Sequence, residues 1–148
     1  MSDKNAKAPA AGEPPAPHGA SNQEKRKAHR FRVRWHADVV FPNQSAHSGF
    51  INDISIQGTS VFLGESPVAD EAELHIHIPP LDRVSKPHIV VIHGKMVYAV
   101  FDGDRQMFRA AYVFSRFRQE ADRAYLEGRL SKYQLEIQDP VHHNIVEL

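Results

Sequence analysis

The residues that could do chemistry fall into two short sets. The first is Arg26-Lys27-Ala28-His29-Arg30, two arginines four apart with Lys25 directly before them. The second is Asp53-Ile54-Ser55-Ile56-Gln57-Gly58, which offers an acceptor, a hydroxyl and a glycine. A guanidinium is a planar fork that pairs bidentately with a phosphate, or with the O6 and N7 edge of guanine. An ionised aspartate only accepts, so it suits the N1 and N2 protons of guanine, which lysine and arginine cannot serve. A serine hydroxyl donates or accepts, and glycine lets another group approach the backbone. Together these groups describe a guanine-nucleotide site more closely than a bare phosphate site. Each half alone is weak. Arg-x-x-x-Arg occurs three times, at Arg26/Arg30, Arg30/Arg34 and Arg105/Arg109, and Asp and Ser commonly start turns. The order and strand context of the two halves carry the reading.

Strands must position these groups. From Phe31 to Phe41 every second residue is apolar, with Arg30, Arg32, Arg34, His36 and Asp38 between them. That period of two predicts a half-buried strand from about Arg30 to Phe41, with Trp35 in the core and Arg32 and Arg34 in solvent. A second strand is expected over about Ser48 to Ile56, with Ile51, Asp53 and Ser55 on one face and Phe50, Asn52, Ile54 and Ile56 on the other. Gln57-Gly58 then marks a tight turn or bulge. Further strands are expected at Thr59 to Leu63, Glu73 to Ile78, His88 to Phe101 and Met107 to Phe114. Gly94 marks a bend or bulge, and Asp102-Gly103-Asp104 a hairpin. Six strands on mostly short connections predict an antiparallel barrel or sandwich. Ser115 is placed as a helix cap, before a helix from about Arg116 to Tyr133. Its apolar side is expected to hold Phe117, Ala121, Ala124 and Gly128, with Leu126, Leu130 and Tyr133 at the same spacing, and Gly128 close against the sheet.

Bulk composition narrows the functional classes. The 148 residues carry 18 basic and 18 acidic side chains, a net charge of zero, which argues against a general nucleic-acid binder. The charge is uneven: six basic residues and no acidic one lie between Lys25 and Arg34, so an anion site belongs there. There is no cysteine, hence no disulfide, thiolate metal site or thiol nucleophile. No apolar run approaches the ~18–20 residues of a membrane span, and the N-terminus lacks the apolar centre of a signal peptide. A cytoplasmic protein is the expectation. Residues 1–22, rich in Ala, Pro, Gly and Ser, are expected to be disordered. There is no Gly-x-Ser-x-Gly elbow, phosphate-binding loop or Gly-x-Gly-x-x-Gly, so the chain is not read as an enzyme. His75 and His77 share a strand face and His142 and His143 are adjacent, but nothing pairs the two sets, and no metal site is expected.

Arg26-Lys27-Ala28-His29-Arg30-Phe31, followed by Asp53-Ile54-Ser55-Ile56-Gln57-Gly58, resembles the two signature motifs of the PilZ domain. PilZ domains are bacterial receptors for the second messenger cyclic di-GMP. The resemblance covers about Lys25 to Tyr133. It implies a six-stranded antiparallel β-barrel followed by a C-terminal α-helix, in agreement with the strand count. It divides the chain into a disordered tail (1–22), a PilZ domain with its helix (23–137) and a C-terminal tail (138–148). By the same resemblance Arg26 and Arg30 hold phosphate and the guanine edge, Asp53 and Ser55 contact guanine, and Gly58 shapes the turn. Lys25 and His29 are secondary candidates. Lys25 stands where the family can choose between one nucleotide and a stacked pair. It has the charge but not the planar group of an arginine, so both ratios stay open. The family's last strand often reads Gly-x-x-Phe, whereas this chain has Ala111-Tyr112-Val113-Phe114. Cyclic di-GMP is thus the expected ligand, with no cofactor. The ligand is expected to draw a mobile lead-in, residues 22–30, onto the sheet and present a new surface to a downstream protein. Two rivals are a protein-interaction adaptor on the same fold that ignores the nucleotide, and a single-stranded nucleic-acid binder. The second would need a basic groove with exposed aromatics.

Overall fold

The computed structural model describes residues 28–82, 84–138 and 146–147. The expected disordered tail, Lys25, Arg26 and most of the C-terminal tail lie outside the described residues. The strands are β1 (Phe31–Arg32), β2 (His36–Val40), β3 (Ala46–Ile54), β4 (Gly58–Leu63), β5 (Glu71–Ile78), β6 (His88–Asp102) and β7 (Met107–Phe117). They are followed by helix α1 (Glu120–Gln138) and a short strand β8 (Val146–Glu147).

Hydrogen bonding runs β2-β5-β6-β7-β4-β3, and β3 pairs back with β2. Six antiparallel strands therefore close into a barrel, as expected. Closure leaves those six strands without an open edge. β1 extends β2 along the rim, where it pairs with β3 on one side and β8 on the other. The predicted first strand is thus two pieces. Phe31 pairs with Ile54 and His36 with Phe50, five residues against four, so the chain bulges between them. Alternation nevertheless persists throughout: Phe31, Val33, Trp35, Ala37, Val39 and Phe41 are all buried. The expected irregularity at Gly94 is present as a register shift between His93 and Gly94. The hairpin after Asp102 closes with Asp102 opposite Met107.

The helix departs from its expectation. The predicted stretch Arg116 to Phe117 is still strand, and Ser115 caps nothing; its hydroxyl donates to the His93 carbonyl across the sheet at 3.0 Å. Ala121, Ala124 and Gly128 face solvent, and a methyl group built on Gly128 would touch nothing within 4 Å. The buried face is instead Asp122, Leu126, Arg129, Leu130 and Tyr133. Leu126, Leu130 and Tyr133 close the end of the barrel, with the Tyr133 ring 6.1 Å from Trp35 and 6.2 Å from Phe31. The other two residues tether the helix through polar contacts. The Asp122 carboxylate accepts from the Val91 amide at 3.2 Å, and Arg129 donates to the Pro79 carbonyl at 2.7 Å. Both contacts satisfy backbone groups that a purely apolar helix face would leave unpaired. Apolar spacing therefore placed Leu126, Leu130 and Tyr133 correctly and misplaced Ala121, Ala124 and Gly128.

Candidate functional site

Asp53 sits at the end of β3, where the sheet is irregular. Ile51 pairs with Val61 but Asp53 with Ser60, so β3 holds one extra residue, Asn52, against β4. Strict alternation would have put Asp53 on the face of Ile51, which is fully buried. The bulge reverses the phase: Ile51 and Ile54 both enter the core, and the carboxylate of Asp53 turns to the outer surface. Re-aiming one side chain in this way is a common use of a bulge.

At that surface Asp53 meets Arg30, 23 residues earlier in the chain. Arg30 Nε donates to Oδ1 at 3.0 Å and Nη2 to the same oxygen at 2.5 Å. The two side chains are only 20% and 13% exposed, so the pair is partly shielded from water. Oδ2 accepts from Nδ2 of the Asn52 side chain at 3.3 Å and from the Ser60 hydroxyl at 3.1 Å. All four contacts are made by donors of this chain, and they fix the orientation of the carboxylate.

Ser55 is 2% exposed and its hydroxyl is used inside the turn. It accepts from the Gln57 amide at 3.0 Å and the Gly58 amide at 3.2 Å, while the Ser55 amide donates to the Gly58 carbonyl at 2.8 Å. This is the local side-chain-to-backbone bonding for which serine is favoured at turns. Gly58 does not have a positive φ. Its value is space, since a Cβ there would lie 2.5 Å from the Tyr112 carbonyl oxygen on β7. The turn brings Gln57 close to β7, where its carbonyl accepts from the Phe114 amide at 2.9 Å.

A cleft of about 440 Å³ opens beside this turn, with Arg30, Gln57, Gly58, Phe114, Arg116 and Arg123 among its lining. Three arginines from the lead-in, β7 and α1 thus border one concavity. The spacing of residues gave no hint of Arg116 or Arg123, because only the packing of α1 across β7 brings them there. A second cleft of about 400 Å³ lies on the other side of Ile56 and is lined by His29, Phe31 and Leu130 among others. Of the sequence candidates, Arg30, Asp53, Ser55 and Gly58 come together. His29 borders the neighbouring cleft, and Lys25 and Arg26 lie outside the described residues.

The sequence profile of the PilZ domain matches residues 24–130. The chain belongs to the PilZ domain family. Among curated proteins, none matches it. Its PilZ barrel resembles the Bacillus subtilis inhibitor of motility MotI/DgrA with a TM-score of 0.62 at 14% identity, over 75% of this chain and 51% of that one. It also resembles MrkH of K. pneumonia, solved as a complex with c-di-GMP, with a TM-score of 0.54 at 19% identity, over 78% of this chain and 54% of that one. The chain spans about half the length of these two solved proteins, and at such identities they are likenesses of fold.

Two further features of this PilZ domain border the site. Tyr112 lies under the cleft and burial pushes its phenol up to about 12. On the adjoining outer face, Arg34 lies 4.6 Å above the Phe50 ring and Arg105 4.8 Å above Phe62. Arg105 thus covers Phe62 on the outer side of β4, and Arg34 covers Phe50 beside it on β3. Arg34 is exposed, as expected, and its cation also packs on an aromatic face. No helix among the described residues is long and apolar enough to cross a membrane.

Proposed function

We propose that this PilZ domain is a receptor for cyclic di-GMP that relays its occupancy to a protein partner. The observation that supports it most is the meeting of the two signature segments, Arg30 against Asp53, at the mouth of an arginine-lined cleft. Family membership and the likeness to MrkH, a c-di-GMP complex, point the same way.

In this reading the Arg30–Asp53 pair is a placeholder for the ligand. The guanidinium leaves the carboxylate and forks onto a phosphate or onto O6 and N7 of guanine. The carboxylate, still held by Asn52 and Ser60, is then free to accept from guanine N1 and N2. Each partner exchanges its present hydrogen bonds for hydrogen bonds to the ligand, so neither is left buried and unpaired. Ser55 acts by holding the Gln57 and Gly58 amides in place and not by touching guanine itself, a departure from the family pattern. Lys25 and Arg26 close over the ligand with the lead-in, and this closure is the population shift that a partner would read. Arg116 and Arg123 add positive potential at the opposite wall of the cleft. The ligand is bound, not transformed, so the reading calls for no catalytic group and no cofactor.

One observation favours the adaptor reading. The β6–β7 hairpin exposes Val97, Tyr98, Val100 and Phe101, between 43% and 62% accessible, which suits protein contact independent of nucleotide. Isothermal titration of cyclic di-GMP into the intact chain and into Arg30→Ala separates the two. Binding that is weakened by about 1.5–3 kcal/mol, roughly one to two decades, supports the receptor. An absence of heat with the intact chain, together with no competition against a labelled nucleotide, sinks it. The molar ratio decides between one nucleotide and a pair.

A further inference from the structure

A third constellation lies on the outer face of β2 and β5, on none of the residues given to the nucleotide. Ala37 pairs with Ile76 and Asp38 with His75, so β2 and β5 run side by side in register. Ala37, Val39 and Ile76 turn inward and are fully buried. The alternate residues His36, Asp38, His75 and His77 therefore stand on the outer surface.

Three of them converge. His36 Nε2 is 3.1 Å from Asp38 Oδ1, and His77 Nε2 is 3.4 Å from Asp38 Oδ2. The three candidate ligand atoms all lie within 4.8 Å of one another. The two imidazoles meet nearly at right angles, 79° between planes with centroids 4.7 Å apart, and do not stack. Ser48, across the ladder on β3, donates to Asp38 Oδ1 at 2.6 Å and sets the carboxylate's orientation. His75 turns the other way, toward Glu73 at 3.2 Å, and Glu73 is clamped by Arg118 through both oxygens at 2.9 Å. His75 thus belongs to a neighbouring network and is not a fourth ligand.

We propose that His36, Asp38 and His77 form a three-ligand site for a divalent late first-row transition ion such as Zn2+. Two imidazole nitrogens and one carboxylate are the donor set such ions take, whereas calcium and magnesium want oxygen alone. Three protein ligands leave a coordination position open, which is the pattern of a site that also takes water, an anion or a side chain from another molecule. Ser48 is a positioning residue, in the manner of the hydrogen-bond partners that orient metal-binding carboxylates. The ligands stand on two strands of a closed barrel, so little backbone ordering is needed on binding. The proposal departs from the sequence-based expectation of no metal site. His77 was read there with its strand neighbour His75, whereas the proposed partners, His36 and Asp38, come from β2 across the ladder.

The test uses the full chain without a histidine tag. Zn2+ is titrated in competition with a chromophoric chelator, and bound metal is measured after dialysis. The expected result is one tightly held ion per chain, with His36→Gln, His77→Gln and Asp38→Asn each weakening binding by about ten-fold or more. Ser48→Ala should weaken it less at unchanged stoichiometry. His88→Gln and a double substitution of His142 and His143 should leave it unchanged. Co2+ in place of Zn2+ gives a second readout, a visible absorption band that disappears in His77→Gln. Melting curves show that each variant is folded. Zinc affinity unaffected by the His36 and His77 substitutions, or lost only with His142 and His143, overturns the proposal.

Discussion

Tyr112 is 2% exposed and its hydroxyl has no hydrogen-bond partner among the described residues. An unpaired buried hydroxyl is a cost, so Tyr112→Phe should be neutral or stabilising by up to about 1 kcal/mol, measured by urea unfolding. The same residue marks a pH window. Its phenol is raised from 10.0 to about 12 in the folded state by burial. The neutral form is therefore favoured by folding, and its contribution is complete below pH 10.0 and lost as pH rises toward about 12. Tyr112→Phe should remove that part of the alkaline loss of stability; an unchanged slope would show that the phenol titrates normally. The residues of the candidate site were legible for a different reason. Arg30, Asp53, Ser55 and Gly58 lie in two short runs whose order survives in the sequence. Their roles were less legible. Burial of Ser55 and the Cβ clash at Gly58 depend on β7 crossing the turn, which no local spacing encodes.

Elements were read well where period two held and poorly where a polar residue carried the packing. The stretch from Phe31 to Phe41 kept its phase even across a break. β3 did not, because Asn52 is an insertion that leaves no mark on composition. In α1 the buried positions are held partly by Asp122 and Arg129, which a search for apolar stripes passes over. Gly128 was read as a close-packing residue and proves to face open solvent. Gly128→Ala should then stabilise the protein by about 0.5–1 kcal/mol through helix propensity alone, seen as a higher denaturant midpoint with unchanged slope. A loss of stability would mean that this face of the helix is not free in solution.

At the scale of the whole molecule, six strands with short connections were enough to expect a barrel, since few arrangements accommodate such a pattern. What no single-strand pattern contains is which outer faces become neighbours. The arginine-lined cleft joins the lead-in, β7 and α1, and the histidine cluster joins β2 and β5. The first comes from α1 packing across β7, the second from the pairing of β2 with β5. Closure divides the molecule in time. A barrel strand cannot leave without breaking a ladder on each side, so amides such as Ile51, Val61 and Ile92 should exchange with deuterium only through global unfolding. Residues 28–30 and α1 stand outside that ring of ladders. Adding cyclic di-GMP should slow exchange in the lead-in while leaving barrel rates nearly parallel to the overall gain in stability; uniform slowing everywhere would count against a moving lead-in. On the proposed reading the barrel is the clock's fixed frame: occupancy would be written as a change in the lifetime of one short segment, and a partner would sense how long the lead-in stays shut.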